Sequence, residues 1–143
     1  MKNTVPILLI EDNPIDVKTV KRAFKKNRII NPLFVVRNGE DALAFLRHEP
    51  PYTDPDTSPQ PGLMLLDLNM PVMNGIELLQ EIKADNELRR IPVIVLTTSH
   101  EETDRVKSFN LGVAGYIIKP VDFDKFVEAV RVIDLYWSLS ELP

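Results

Sequence analysis

Five short hydrophobic runs without polar interruptions are separated by longer segments in which hydrophobic residues recur at helical spacing. Uninterrupted runs of this length are typical of strands that are buried on both faces of a parallel sheet. The runs cover 7–10, 33–36, 63–66, 93–96 and 116–118. The pattern therefore predicts five strands that alternate with five helices.

A helix-start signal follows each predicted strand. Polar residues suited to a helix start stand at Asn13, Asn38, Asn74, Ser99 and Asp122. Ser99 is followed three residues later by Glu102, which is the spacing of a capping box. The helix that begins there is expected to end near Gly112, because glycine readily adopts the left-handed conformation in which many helices end.

This alternation also predicts the architecture. Parallel strands joined by right-handed helical crossovers form a sheet that is covered by helices on both faces. We expect an α/β fold with a flavodoxin-like, doubly wound sheet of five parallel strands in the order 2-1-3-4-5 and five helices. In that order the ends of the first and third strands lie side by side.

The domain organisation is expected to be simple. A chain of 143 residues suits one hydrophobic core, so 1–143 is predicted to be a single domain. Five prolines exclude a helix or a central strand from 49–62, where we predict a loop insertion. A solvated loop is favoured over a proline-rich docking segment, since no clear PxxP core stands out. A helical tail is predicted near 134–143.

Composition and charge argue against several functional classes. The net charge of -4 gives no electrostatic reason to expect a nucleic acid or an anionic membrane as partner. The absence of cysteine excludes disulfides and thiolate metal sites. The first hydrophobic run is too short for a signal-peptide core, and the longest other run, 91–96, is too short for a membrane span. We expect a soluble, cytoplasmic protein.

Side chains that could bind a metal ion or take part in a reaction stand at or just past the ends of four predicted strands. These residues are Glu11, Asp12, Asp67, Thr97 and Lys119. They are expected to lie together, because the carboxyl ends of parallel strands meet at one edge of the sheet. Two carboxylates about 4 Å apart repel by on the order of 1 kcal/mol in water and about 4 kcal/mol in a partly dry site. Mg²⁺, which prefers oxygen ligands, would relieve that repulsion.

The same set of side chains suits phosphoryl transfer. Asp67 can act as a nucleophile that forms an acyl phosphate. Thr97 can donate to one phosphoryl oxygen while Lys119 pairs with another. Taken singly, Asp67 could simply end a strand in solvent and Lys119 could be a surface lysine, but their positions at successive strand ends favour a shared site. His48 and His100 belong to no such group and are interpreted as surface residues.

Several motifs together resemble a known family. They are the ILLIEDN run, Asp67 in LLDLNMP, Thr97 after PVIVL, and Lys119-Pro120 after GYII. This combination resembles the receiver domain of two-component response regulators over nearly the whole chain. The resemblance implies that Asp67 accepts a phosphoryl group from the phosphohistidine of a sensor histidine kinase.

The resemblance also implies a role for each matching residue. The implied Mg²⁺ ligands are Glu11, Asp12, Asp67 and the main-chain carbonyl of Asn69. Thr97 would be the switch hydroxyl, and Tyr116 would be the aromatic side chain that changes rotamer with it. Lys119 would contact the phosphate, and the Lys119–Pro120 peptide bond is expected to be cis.

Three further features resemble the single-domain regulators that are paired with cyanobacterial and bacterial phytochromes. These features are the insertion before the phosphoacceptor strand, the TTS after strand four, and the ending KPVDFDKF…YWSLSELP. They imply a phytochrome-type kinase as partner and a downstream protein that the sequence does not name. No output domain is expected, since the chain ends a few residues after its fifth predicted helix. A homodimer through helix 4, strand 5 and helix 5 is also implied, with Phe109, Tyr116 and Trp137 partly exposed. Packing of Trp137 on its own domain is the alternative.

Two rival functions were compared with this one. A Mg²⁺-dependent phosphohydrolase of the haloacid-dehalogenase type also forms an aspartyl phosphate, but it needs a second aspartate two residues later as general acid. Asn69 stands there and cannot transfer a proton. A nucleotide or flavin binder would carry a glycine-rich phosphate loop after strand one, which this sequence lacks. We expect a signalling phosphoacceptor with at most self-phosphorylation and autodephosphorylation activity.

Overall fold

The computed structural model of the chain describes residues 4–68, 74–119 and 122–140. Within them the strands are β1 (Ile7–Ile10), β2 (Leu33–Val36), β3 (Leu63–Asp67), β4 (Val93–Thr97) and β5 (Gly115–Ile118). The α-helices are α1 (Pro14–Lys26), α2 (Gly39–Arg47), α3 (Gly75–Ala84), α4 (His100–Ser108) and α5 (Phe123–Ser140). A short 3₁₀ helix, Leu88–Arg90, precedes β4.

The strands form one parallel sheet in the order β2-β1-β3-β4-β5. The predicted flavodoxin-like order is therefore confirmed. The pairing places Ile10 beside Leu66 and Thr97 beside Ile118. The residues that follow β1, end β3 and β4, and follow β5 thus lie along one edge of the sheet.

The two faces of the sheet pack against different helices. Alternate residues of each strand point to opposite faces, so Leu8 and Ile10 join the core under α2 and α3, whereas Ile7 and Leu9 join the core under α1 and α5. All four residues of β1 are fully buried. A strand buried on both faces is held rigidly, so the backbone position of Glu11, which directly follows β1, is well fixed.

Polar side chains cap the helices that follow β1, β2 and β3, as predicted. The Asn13 side chain accepts from the Ile15 amide at 2.9 Å, and the Asn74 side chain accepts from the Glu77 amide at 3.0 Å. Asn38 caps α2 in the same way. These bonds satisfy amides that the first turn of a helix leaves without partners.

The end of α4 differs from the prediction. The helix ends at Ser108, short of the predicted end near Gly112. Asn110 already adopts a left-handed conformation, with φ of 52°, and Gly112 does so again two residues later, with φ of 65°. Asparagine tolerates this conformation better than most residues, so the chain leaves the helix before it reaches the glycine.

The loop over 49–62 contains no helix or strand, as predicted, but it is not wholly solvated. Ser58 is buried, and its carbonyl lies 2.9 Å from Nε2 of His48. The Tyr52 ring packs on Phe45 with 5.3 Å between the ring centroids. The interpretation of His48 as an ordinary surface residue is therefore wrong, because its half-buried ring ties the loop to the end of α2.

The predicted tail near 134–143 is helical as far as Ser140, where α5 ends. Within the described part of the chain, no helix combines the length and the apolar character needed to cross a bilayer.

Candidate functional site

Backbone hydrogen bonds fix the residues at the edge of the sheet. The Glu11 amide donates to the Val36 carbonyl at 2.9 Å, which continues the β1–β2 ladder by one residue. The Lys119 amide donates to the Thr97 carbonyl at 2.6 Å, which does the same for β4 and β5. The side chains of these residues consequently start from rigid backbone.

The Lys119 ammonium is the centre of the site. Its Nζ lies 3.0 Å from Glu11 Oε1, 3.0 Å from Asp16 Oδ2 and 3.4 Å from Asp67 Oδ2. Only 19% of the Lys119 side chain is exposed, so these are partly dry contacts between a cation and three carboxylates. The structure thus brings Lys119, Glu11 and Asp67 together, as the sequence predicted.

Asp16 is the member of this group that sequence reasoning missed. It lies in the first turn of α1, three residues after the cap residue Asn13. An acid in the first turn of a helix is usually explained by the helix dipole alone. Asp12 precedes the cap residue Asn13, so no helical spacing links the two acids, and the sequence alone offered no signal for Asp16.

Three carboxylates form a cluster that can hold a metal ion. Oxygen atoms of Glu11, Asp12 and Asp67 all lie within 4.8 Å of one another. Glu11 and Asp67 are buried and Asp12 is exposed, so the cluster opens to solvent on one side. Asn69, the fourth predicted ligand, lies outside the described residues, as does Pro120.

Glu11 carries the clearest sign that a cation fits there. Among the described residues, its buried Oε2 has no hydrogen-bond partner. An unpartnered carboxylate oxygen beside two further acids suits a hard divalent cation that takes oxygen ligands. The donor set is therefore compatible with Mg²⁺.

Burial and neighbouring charges shift two pKa values in the site. Burial raises the pKa of Glu11 to about 8, with a further contribution from Asp67, against the opposing effect of Lys119. Burial alone would lower the pKa of Lys119, but its bonds to Glu11 and Asp16 outweigh that effect and raise it. Lys119 is consequently charged at neutral pH, whereas the raised pKa of Glu11 means that it binds a proton more readily than an exposed glutamate does.

Thr97 is fully buried at the end of β4, and its hydroxyl is directed towards α4. Thr97 Oγ1 donates to Glu102 Oε1 at 2.8 Å and accepts from the Ser99 amide at 3.2 Å. The capping box predicted for Ser99 and Glu102 is therefore only half formed, because the Ser99 amide bonds Thr97 instead of Glu102. Ser99 still caps the helix by accepting from the Glu101 amide.

Tyr116 lies on β5 beside the same helix. It is partly buried against the core, and the Lys107 ammonium of α4 lies 5.2 Å from the centroid of its ring. Both predicted switch residues, Thr97 and Tyr116, thus contact side chains of α4. His100 is the exposed first residue of that helix and contributes no side-chain contact among those described.

Gly75 lets α3 approach the end of β3. Its amide donates to the Leu68 carbonyl at 3.2 Å. A Cβ atom at this position would lie 2.7 Å from Leu68 Cα and 3.1 Å from the Asp67 carbonyl oxygen. Gly75 therefore allows close backbone contact behind Asp67, which the sequence pattern did not predict.

Comparison with known proteins places this site in a family. The family model of the response regulator receiver domain matches residues 7–131. Response regulator Rcp1 of Synechocystis sp. is 41% identical over 131 residues, which cover 92% of this chain and 87% of Rcp1.

Solved structures agree with this match. The phosphorylated cyanobacterial phytochrome response regulator RcpA superposes with a TM-score of 0.84 at 37% identity, with 97% of each chain covered. The Mn²⁺-bound form of response regulator Rcp1 superposes with a TM-score of 0.81 at 40% identity, again over 97% of each chain. These similarities favour a signalling domain over the phosphohydrolase and the flavin binder. The chain belongs to the response regulator receiver domain family of two-component signalling.

Proposed function

We propose that this response regulator accepts a phosphoryl group on Asp67 from the phosphohistidine of a phytochrome-type sensor histidine kinase. The observation that supports this most is the contact of 3.4 Å between Lys119 Nζ and Asp67 Oδ2 within a cluster of carboxylates. A nucleophilic carboxylate beside a fixed cation and a metal-binding acidic cluster has the parts that phosphoryl transfer requires.

The transfer is a displacement at phosphorus. An Asp67 carboxylate oxygen attacks the phosphorus atom, the O–P bond of an acyl phosphate forms, and the N–P bond to the kinase imidazole breaks. The imidazole nitrogen leaves with the bonding electron pair. Lys119 contacts the phosphoryl oxygens and stabilises their negative charge.

Glu11, Asp12 and Asp67 would hold Mg²⁺, together with the main-chain carbonyl of Asn69 that the family resemblance implies. Receiver domains bind Mg²⁺ at such an acidic pocket, and the unpartnered Glu11 Oε2 supports the same assignment here. When bound, the cation neutralises negative charge on the phosphoryl oxygens. Thr97 would supply the switch hydroxyl and Tyr116 the aromatic side chain that follows it.

The phytochrome partnership is supported by the relatives. The solved structures that resemble this chain include the cyanobacterial phytochrome response regulator RcpA and the bacteriophytochrome response regulator RtBRR, which is 42% identical. Both are named as regulators of phytochrome systems, and both resemble this chain over most of its length. We therefore assign a phytochrome-type kinase as the phosphodonor, with a downstream protein as the receiver of the signal.

A homodimer through α4, β5 and α5 is part of the proposal. Large hydrophobic side chains are exposed there, including Phe109 (45%), Val132 (53%) and Leu135 (51%). Exposed hydrophobic side chains are available for contact with another protein surface. The side chain of Trp137 lies outside the described residues.

The test is labelling with acetyl phosphate and Mg²⁺, measured by intact-protein mass spectrometry. The wild-type chain is expected to gain one phosphoryl group, and chelation of Mg²⁺ is expected to prevent the gain. Asp67→Asn should abolish labelling, because the amide is a far weaker nucleophile than the carboxylate. Asp56→Asn, the same change in the exposed part of the 49–62 loop, is the matched control and should be labelled normally. Undiminished labelling of Asp67→Asn would reject Asp67 as the acceptor.

A further inference from the structure

We propose that Glu102 is a positioning residue that opposes phosphorylation by competing with the phosphoryl group for the hydroxyl hydrogen of Thr97. This inference rests on the proposed function, in which Thr97 donates to a phosphoryl oxygen. It assigns to Glu102 a role as a latch, meaning a contact that keeps the switch in its unphosphorylated arrangement.

The first step concerns the number of hydrogens. A threonine hydroxyl has a single O–H donor. In this structure the hydroxyl donates to Glu102 Oε1 at 2.8 Å, whereas the Ser99 carbonyl lies farther away, at 3.4 Å. The hydroxyl cannot donate to Glu102 and to a phosphoryl oxygen at the same time, so the two acceptors exclude each other.

The two competing hydrogen bonds of Thr97 are similar in strength. Hydrogen bonds to ionised acceptors are roughly twice as strong as neutral ones. Thr97 is fully buried, so water does not replace a lost partner at its hydroxyl. A phosphoryl oxygen is anionic as well, so phosphorylation exchanges one charged acceptor for another. The free-energy difference between the two arrangements is therefore small, and removal of one acceptor should change it markedly.

The bond between Thr97 and Glu102 also connects β4 with the start of α4. Glu102 lies in the first turn of α4, and Lys107, farther along the same helix, lies against the Tyr116 ring. Transfer of the Thr97 hydroxyl from Glu102 to a phosphoryl oxygen would free the start of α4 from β4. The latch thus connects the state of Asp67 with the position of the helix that borders the proposed dimer surface.

A simpler role for Glu102 has to be separated from this one. Any acid in the first turn stabilises a helix through its dipole, and any acid near the site repels an incoming phosphoryl group. Glu101 is the matched control, because it lies in the same first turn with the same charge but its side chain is exposed. Of these two acids, Glu102 is the one whose side chain accepts a hydrogen bond from Thr97 among the described contacts.

The experiment measures the affinity of the Mg²⁺-loaded protein for beryllofluoride, a phosphoryl mimic, by isothermal titration calorimetry. Glu102→Ala should tighten binding about tenfold, equivalent to about 1.4 kcal/mol. Glu102→Gln keeps a weaker, neutral acceptor and should give a smaller gain of about threefold, equivalent to about 0.65 kcal/mol. Glu101→Ala should stay within about twofold of the wild type, which corresponds to about 0.4 kcal/mol.

A second background distinguishes the latch from a structural role. In Thr97→Val, which keeps the shape but lacks the hydroxyl, Glu102→Ala should no longer change the affinity. A gain that persists in that background, or one that Glu101→Ala reproduces, would overturn the proposal, as would no gain in Glu102→Ala. If Glu102→Ala is unfolded by circular dichroism, the absence of a gain in folded Glu102→Gln would overturn it instead.

The same titration separates the two proposals. A wild-type chain that fails to bind beryllofluoride in the presence of Mg²⁺ contradicts the proposed function. A wild-type chain that binds it, with Glu102 variants that do not differ from it, leaves the proposed function standing and contradicts the latch alone.

Discussion

Lys119 and its partners are held by several bonds at once, whereas Thr97 is joined to α4 mainly through one hydrogen bond to Glu102. Lys119 contacts three carboxylates, and its backbone extends the sheet. We call the part with Lys119, Asp67 and α3 the acceptor side and the part with Thr97 and α4 the α4 side. The two sides also differ in packing. In α3, behind Asp67, four residues are buried, but α4 buries only Thr103 and Val106.

This difference indicates that the two sides have different functions. Positions that perform chemistry need fixed geometry, which the strand ends and the ionic contacts of Lys119 supply. Positions that transmit a signal need two arrangements of similar free energy, and elements with few buried residues provide them. The acceptor side therefore suits capture of a phosphoryl group, and the α4 side suits its communication.

On the acceptor side, the largest loss of stability is expected from Gly75→Ala. The new methyl group would meet backbone atoms of Leu68 at 2.7 Å, and we expect a loss of about 2 kcal/mol in the free energy of unfolding. Labelling at Asp67 should also slow, because the end of β3 must shift. Urea unfolding and labelling rates provide the measurements.

Gly115→Ala is the matched control for that change. A Cβ atom at Gly115 would lie 3.9 Å from its nearest neighbour, Ile94 Cγ1, which is an ordinary contact. This substitution should alter the free energy of unfolding by no more than about 0.5 kcal/mol. Equal losses in the two variants would contradict the close approach of α3 to β3.

The next effect concerns pH. Because the pKa of Glu11 is raised from 4.5 to about 8, the folded metal-free chain binds more protons than the unfolded chain between these values. The contribution of Glu11 to the free energy of unfolding should therefore fall as pH rises from about 4.5 to about 8. One proton limits the slope to about 1.4 kcal/mol per pH unit.

Urea unfolding in the presence of a chelator, at several values across that pH range, measures this effect. Glu11→Gln should show a flatter dependence, because its amide does not titrate. Parallel curves for the wild type and Glu11→Gln would contradict the raised pKa. With Mg²⁺ present the affinity should increase over the same range, since the cation binds the deprotonated carboxylate.

The smallest effect is expected from Asp16→Asn. The Asp16 side chain is 37% exposed, so its ion pair with Lys119 is partly screened by solvent. Loss of this contact should slow labelling at Asp67 about threefold, in line with the ~0.2–1 kcal/mol of exposed ion pairs. Asp104→Asn, at an exposed position of α4, should leave the rate unchanged. A rate for Asp16→Asn equal to that control would show that Asp16 does not position Lys119.

The sequence predicted those features that depend on local patterns. The five strands, the caps at Asn13 and Asn74, and the acids at the strand ends all follow from rules that concern neighbouring residues. The strand order then brought Lys119 to Asp67 because parallel strands share one edge.

The missed features depend on how each helix is placed relative to the strands. Asp16 is identified only when the direction of α1 relative to Lys119 is known, and Glu102 satisfied a local capping rule while its actual partner is Thr97. Gly75 carries no local sign of its close contact with Leu68, which depends on how α3 meets the end of β3. Rules for the start of one helix do not include the side chains of the preceding strand or of distant strands, which supply the actual partners.

The most direct test of the central claim is identification of the modified residue after reaction with acetyl phosphate and Mg²⁺. Borohydride reduces an acyl phosphate on aspartate to homoserine, which peptide mass spectrometry detects. We predict homoserine at position 67 and nowhere else among the acids around Lys119. Unreduced Asp67 in a labelled chain, or homoserine at Asp12 or Asp16 instead, would contradict the account.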